Sequence, residues 1–280
     1  MRIDRAATLY IFHPLTRGFT RDADARVSVL MYHSVSNEDE ESVHPYYQVS
    51  TTPRRFEEQM KLLKDEAYAV VPLADVARAV ESGEAPGQNC VAITFDDGYH
   101  DFLSFAFPIL CKYDFPATVF LPTEFIGDAP QVFKNKQCLT WSEVRELHKA
   151  GVVFGSHTVS HPQLHSVSPS KLEREVRASK AAIEDHLGCA ITSFSYPYAF
   201  PEQDAKFKRR LRNLLEESGY RHGVSTIIGT IGSKDDRFFL RRLPVNSLDD
   251  ARFFRAKLEG GYNWLHVFQY ATKLIKSKAL

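Results

Sequence analysis

Four residues of this 280-residue chain have the types and the spacing of a metal site that activates water. Asp96 and Asp97 follow directly on the apolar run CVAITF, and His157 and His161 stand four residues apart in GSHTVSHP. Two histidines at this spacing can direct both rings to one point, and imidazole and carboxylate are ligands that zinc accepts. One aspartate with the two histidines leaves a coordination position open for water, and the other aspartate can accept a proton from that water. The pattern therefore predicts a divalent metal ion with a carboxylate base beside it.

The elements that must position these residues alternate between strands and amphipathic helices. The alternation runs from ARVSVLMYH to FFLRRLPV without a linker, and the clearest helix begins at Ser168-Pro169 and ends at Gly188. This order predicts a parallel sheet, open or closed into a barrel, in a single domain over residues 1–280. Reactive groups in such folds lie at the carboxyl ends of the strands, where the sequence places His33, Asp96 and His157.

The charge balance, the cysteine spacing and the apolar runs of the chain limit its possible partners, sites and location. Lys and Arg number 35, as do Asp and Glu, and this balance argues against nucleic acid as a partner. Four scattered cysteines without a CxxC spacing suggest neither a zinc knuckle nor a disulfide framework. We see no apolar run of the length of a signal-peptide core or a membrane span, and we therefore expect a cytoplasmic protein.

Both ends of the chain stand apart from the alternating pattern. Residues 1–26 are interpreted as an N-terminal extension, and residues 262–280 are predicted to form an amphipathic helix. The apolar face of that helix comprises Trp264, Val267, Phe268, Ala271, Leu274 and Ile275. The favoured interpretation is a helix packed on the domain. The alternative is a peripheral contact with the surface of the inner membrane, where aromatic residues and lysines are common.

The motifs TFDDG and SHTVSHP together resemble those of the polysaccharide deacetylase family, the carbohydrate esterases with a NodB-homology domain. The resemblance extends from VLMYHSV to RRLPV. It implies an α/β fold, a distorted (β/α) barrel of about seven strands, and metal-dependent removal of N-acetyl groups from amino sugars. In this resemblance Asp96 is the general base, and Asp97, His157 and His161 bind the ion. Zinc is the expected ion, with cobalt or nickel as alternatives.

Three further roles follow from the same resemblance. Tyr198 in SYPYAF matches the family's Pro-Tyr-Gly element, whose backbone N–H would help to hold an oxyanion. His33 in MYHSV is predicted to be the general acid, as in relatives whose corresponding strand is N-terminal. Ser195 occupies the place of the family's arginine ahead of Pro-Tyr. Arg242 is therefore expected either to supply the missing cation beside Asp96 or to be a solvated strand arginine.

The resemblance predicts an N-acetylated saccharide as substrate, in a glycan or a lipid-linked precursor of an exopolysaccharide or the cell envelope. Two alternatives from other classes remain. One is a hydrolase of a different C–N bond, such as a cyclic amide or ureide, on the same scaffold. The other is an inactive carbohydrate-binding relative, against which the complete set of two aspartates and two histidines argues.

Overall fold

The computed structural model describes residues 2–19, 27–38, 48–83, 89–232 and 235–270. For residues 17–19 it describes the backbone only. The strands are β1 Val27–Tyr32, β2 Ser34–Val35, β3 Ser50–Thr51, β4 Ala69–Val70, β5 Cys90–Phe95, β6 Ala117–Leu121, β7 Val132–Phe133, β8 Lys136–Gln137, β9 Val153–Ser156, β10 Ser193–Ser195, β11 His222–Ile228 and β12 Leu240–Pro244. The α-helices are α1 Ile3–Ala7, α2 His13–Phe19, α3 Pro53–Asp65, α4 Leu73–Ser82, α5 Phe107–Tyr113, α6 Trp141–Lys149, α7 Pro169–Leu187, α8 Ala205–Glu217 and α9 Ala251–Leu258. Short π-helical segments, Thr8–Phe12 and Phe102–Ala106, precede α2 and α5, and residues 264–270 are also helical.

Seven parallel strands close into a barrel in the order β1, β12, β11, β10, β9, β6 and β5, with β5 pairing back to β1. The closing pair is in register from Val27 opposite Cys90 to Tyr32 opposite Phe95. Strand β4 pairs with β5 outside this ring. The predicted α/β barrel of about seven strands is confirmed.

The barrel interior changes from apolar to polar along the strands. One buried cluster, which also includes side chains of α4, contains Val29, Ala92, Phe120, Val224 and Leu240. Phe120 leaves no room for a side chain at Gly155 of β9, where a Cβ atom would lie 2.5 Å from its ring. Side chains alternate along a strand, so two residues beyond Leu240 the same interior face carries Arg242. The apolar end closes the barrel, and the polar end is left for chemistry.

Helix α7 begins and ends as predicted. The Ser168 side chain accepts a hydrogen bond from the Lys171 N–H, and Pro169 opens the first turn. Gly188 ends the helix with φ +66°, a conformation in which a side chain would be strained.

The two terminal segments pack against each other at one point. Trp264 donates a hydrogen bond from Nε1 to the Thr8 hydroxyl at 3.0 Å, and its ring stacks on Phe12 at 4.6 Å. The favoured prediction of a packed C-terminal helix holds for Trp264 but is wrong for Val267 and Phe268, whose side chains are exposed.

The rest of the predicted C-terminal face lies beyond residue 270, outside the described residues. Among the described helices, none has the length and apolar character that crossing a membrane requires. The boundaries of the single domain stay a prediction.

A buried histidine far from the barrel mouth predicts how stability depends on pH. His222 lies at the start of β11 with Nε2 2.7 Å from the Ser193 hydroxyl, and burial lowers its pKa to about 4. Between the ordinary pKa near 6.5 and 4, the unfolded chain binds a proton that the folded chain does not. We therefore expect the free energy of unfolding to fall as pH drops through this window, with His222 contributing up to about 3 kcal/mol.

Urea unfolding of the parent and His222→Gln at pH 7 and at pH 4.5 checks this expectation. Glutamine retains a hydrogen-bonding group but does not titrate, so the variant should lose less stability between the two pH values. Equal losses in both proteins would contradict the assignment to His222.

Candidate active site

The four residues with metal-site spacing lie together at the carboxyl ends of the barrel strands. Asp96 and Asp97 follow β5 directly, His157 follows β9, and His161 lies in the loop beyond it. All four side chains are buried. The barrel therefore brings two separate sequence motifs to one place, as the sequence predicted.

The spacing of Asp97, His157 and His161 suits a small divalent ion. Asp97 Oδ1 lies 3.5 Å from His157 Nε2 and 3.3 Å from His161 Nε2. Two ligand atoms at 2.0–2.1 Å from a tetrahedral ion are about 3.4 Å apart. One ligand atom from each of the three residues falls within 4.8 Å of the others.

The hydrogen bonds around this cluster also leave donor atoms for an ion. His157 donates from Nδ1 to the Ser195 carbonyl at 2.8 Å, so its Nε2 lone pair is directed at the cluster. In the described chain, Asp97 Oδ1 and His161 Nδ1 are buried side-chain atoms without a hydrogen-bond partner. Leaving such atoms unpaired costs free energy, and a bound cation would satisfy the carboxylate oxygen. The three residues therefore fit a divalent metal ion.

The protonation of the cluster agrees with this fit. Burial lowers the pKa of His161 to about 4, so the ring is neutral near pH 7, as a ligand must be. Burial alone would raise the pKa of Asp97, but the contacts with His157 and His161 outweigh it and hold that pKa well below its usual value. Asp97 is therefore ionised.

Asp96 is held by a buried arginine across the barrel. The Arg242 guanidinium donates to both carboxylate oxygens at 2.8 and 2.7 Å, and the Ser195 hydroxyl donates to Oδ1 at 3.1 Å. Burial alone would raise the pKa of Asp96, but the charge of Arg242 lowers it below its usual value. Arg242 is fully buried, so its interpretation as a solvated strand arginine is wrong. The guanidinium from β12 also donates to the Ser195 hydroxyl at 3.1 Å.

His33 also lies beside Asp96. It follows β1, and its Nε2 is 4.0 Å from Asp96 Oδ2. His157 Nε2 is also 4.0 Å from that oxygen. Burial lowers the pKa of His33. The structure thus brings His33 to the site, while its part as general acid stays a prediction.

Several residues near the cluster adopt a backbone conformation that only glycine adopts freely. Asp97, Thr158, His161 and Tyr198 have φ values of +69°, +71°, +52° and +58°. Each such residue costs on the order of 1–3 kcal/mol, and such residues collect at functional sites. Here the left-handed turns direct the two ligand-bearing loops and the Tyr198 loop toward one opening.

Two residues that the sequence analysis missed support Asp97. The Tyr99 hydroxyl and the Lys134 ammonium donate to Asp97 Oδ2 at 3.0 and 3.2 Å, which leaves Oδ1 facing the histidines. Lys134 lies in the turn between β7 and β8, where it and Asn135 both have positive φ. The signals were the tyrosine next to the DDG motif and the short hairpin VFKNKQ, whose turn carries the lysine.

The opening above the cluster is lined by aromatic rings. The half-exposed Tyr198 ring stands edge-on to His161 with centroids 4.6 Å apart, and Phe133 approaches the same ring at 5.1 Å. Lys134 lies over the faces of both rings, at 4.5 Å from Phe133 and 5.6 Å from Tyr198. Aromatic faces beside a hydrogen-bonding cation form a surface that suits a sugar ring.

The barrel carries aspartates and histidines at its mouth, as an enzyme scaffold does. Comparison with known sequences identifies the family. The model of the polysaccharide deacetylase family matches residues 83–223, just over half of the chain and both motifs. The chain belongs to the polysaccharide deacetylase family, and it is an N-deacetylase of that family by class.

Individual relatives agree with the family match. The chain is 28% identical over 235 residues to the Bacillus subtilis protein YxkH, which is named after the same family, covering 84% of this chain and 77% of the relative. It is 26% identical to the poly-β-1,6-N-acetyl-D-glucosamine N-deacetylase of Staphylococcus aureus, covering 72% of this chain and 69% of that enzyme. The Streptococcus pyogenes deacetylase PplD, solved in complex with acetate, superposes with a TM-score of 0.72 at 25% identity, covering 84% of this chain and 99% of PplD.

Proposed function

We propose that this protein is a metal-dependent hydrolase that removes N-acetyl groups from a glucosamine-containing glycan made for an exopolysaccharide or the cell envelope. The observation that carries the proposal is the placement of Asp96 beside His157, 4.0 Å away, at the edge of the Asp97–His157–His161 cluster. The similarity to a poly-β-1,6-N-acetyl-D-glucosamine N-deacetylase supports the substrate class.

The reaction adds water across an amide and yields acetate and a free amine. Asp97, His157 and His161 would hold the ion, which supplies Lewis acidity for the acetamide oxygen and for the attacking water. Zinc is the ion we propose, with cobalt and nickel as the alternatives that the same ligands accept. Tyr99 and Lys134 keep Asp97 oriented for this task through its other oxygen.

Asp96 takes a proton from the attacking water, because its carboxylate is ionised and its Oδ2 lies 4.0 Å from His157 Nε2 at the edge of the cluster. Arg242 and Ser195 keep that carboxylate in one orientation. A proton accepted by Asp96 can reach the leaving nitrogen through His33, 4.0 Å away on the same opening. The Tyr198 N–H would donate to the oxyanion of the tetrahedral intermediate, and the neighbouring rings would support the sugar.

The test is acetate release from β-1,6-linked N-acetylglucosamine oligomers by the zinc-loaded protein. We expect activity in the parent and a fall of about 10²- to 10⁴-fold in Asp96→Asn, which keeps the shape of the side chain but cannot accept the proton. Mass spectrometry of the oligomers should show the loss of acetyl groups.

Two other outcomes would replace the proposal. Tight oligomer binding without acetate release would favour a carbohydrate-binding protein. Hydrolysis of cyclic amides or ureides with no action on any acetylated sugar would favour the other hydrolase. Location in the cytoplasm stays a prediction, which fractionation of cells that produce the protein would test.

A further inference from the structure

A charged side chain lies on the buried face of helix α7. The buried residues of this helix are Leu172, Glu175, Val176, Ser179 and Ile183, and Glu175 is 3% exposed. Burying a carboxylate costs free energy unless hydrogen-bond donors surround it. The proposed reaction gives Glu175 no part, so the position of this residue needs another explanation.

The donors to Glu175 come from the loop that carries the two histidines of the cluster. The backbone N–H groups of Val159 and Ser160 both donate to Glu175 Oε2, at 2.8 and 2.9 Å. The Ser160 hydroxyl donates to the other oxygen, Oε1, at 2.7 Å. Successive N–H groups that converge on one point form a concavity that binds anions. Glu175 therefore occupies an anion site that the loop itself forms.

This loop is short and has a proposed metal ligand at each end. It runs from His157 to His161, so Val159 and Ser160 lie between the two imidazoles. Within it Thr158 and His161 have φ values of +71° and +52°, which residues with side chains rarely adopt. Such conformations persist only where the surrounding structure enforces them. The three hydrogen bonds to Glu175 act at the centre of the loop, between its two left-handed residues.

The carbonyl groups of the loop are held from another side by backbone alone. The Thr123 N–H donates to the Thr158 carbonyl at 3.1 Å, and the Glu124 N–H donates to the Val159 carbonyl at 3.0 Å. These bonds persist whatever side chains stand at positions 123 and 124. The bonds to Glu175 depend on its carboxylate, so a substitution at this position removes them selectively.

We propose that Glu175 is a positioning residue, which fixes the separation of the His157 and His161 rings and thereby sets the affinity for the divalent ion. The helix that carries it is anchored to the barrel, where Ser179 Oγ lies 2.6 Å from Ser156 Oγ of β9. Distances from a metal ion to its ligands vary by only about 0.2 Å, so a loop that relaxes toward ordinary φ values would hold the ion less tightly. The inference rests on the proposed function, because the ion belongs to that function.

Zinc titration of the full-length protein by calorimetry tests the proposal. We expect the zinc Kd of Glu175→Ala to rise about 10- to 100-fold, the range for residues that orient metal ligands. Glu175→Gln keeps a carbonyl oxygen for the two N–H groups and should lose less affinity. Glu173→Ala is the matched control: Glu173 is an exposed residue of the same helix, paired with Arg177, and its loss should leave the Kd unchanged.

Urea unfolding with and without excess zinc separates positioning from a merely structural role. A bound ion stabilises the folded protein by an amount that depends on its Kd. If Glu175 positions the ligands, adding zinc should raise the urea midpoint less in Glu175→Ala than in the parent. A merely structural residue would lower the midpoint equally with and without zinc, and that result would overturn the proposal.

Two further outcomes are distinguishable. Zinc binding by a folded Glu175→Ala as tight as that of the parent would overturn this inference alone, whereas a parent that binds no zinc would overturn the proposed function with it. If Glu175→Ala does not fold, Glu175→Asp replaces it. Aspartate keeps the charge but withdraws the carboxylate from the loop by one methylene, so its zinc Kd should also rise.

Discussion

Alanine at His157 or at His161 is expected to abolish tight binding of a divalent ion while leaving the protein folded. Each imidazole supplies one of the three protein ligands, and two remaining ligands cannot hold an ion against water. The loss should exceed the roughly 10- to 100-fold cost of removing a residue that only supports a ligand. Zinc titration by calorimetry, with metal analysis of the purified proteins, measures the effect.

His165→Ala is the matched control, because His165 follows His161 by the same four residues that separate the proposed ligands. Its side chain is exposed and its Nδ1 lies 3.5 Å from the Tyr196 hydroxyl, outside the three-residue cluster. This variant should bind about one zinc ion as tightly as the parent. A parent that is folded but binds no zinc would remove the metal-dependent mechanism, and the carbohydrate-binding alternative would then be favoured.

The sequence was sufficient for the barrel and for the cluster because both depend on local patterns. Alternating strands and helices determine the fold class, and the DDG and HTVSH motifs each fix their residues within one loop. The carboxyl ends of parallel strands then meet at one mouth, so Asp96 and His157 had to approach one another. Neither step required knowledge of a contact between distant side chains.

The parts that the sequence left open depend on such contacts. Whether Arg242 faces the barrel interior or solvent is decided by the register of β12, since a shift of one residue would exchange it with Arg241. Lys134 reaches Asp97 only because a tight turn outside the barrel folds over the mouth.

The second large effect is expected at Arg242. In Arg242→Met the carboxylate of Asp96 keeps its burial but loses the two hydrogen bonds and the charge that hold its pKa down. Leaving one partner of a buried ion pair alone costs about 3–5 kcal/mol, which urea unfolding should record as a lower free energy of unfolding at pH 7. The pKa of Asp96 should rise at the same time, so deacetylation should fall even in molecules that remain folded.

Arg241→Met separates this effect from the general cost of losing an arginine in β12. Arg241 is the neighbouring residue on the other face of the strand, partly exposed and paired with Asp235 at 3.0 Å, so its loss should cost at most about 1 kcal/mol. Adding Asp96→Asn to Arg242→Met should restore part of the stability, because no unpaired charge then remains, but not the activity, because the base is absent. Recovery of stability without activity would place Arg242 as the residue that keeps Asp96 ionised inside the barrel. Equal costs for the two arginines, or no coupling between positions 96 and 242, would show that the buried pair does not have this function.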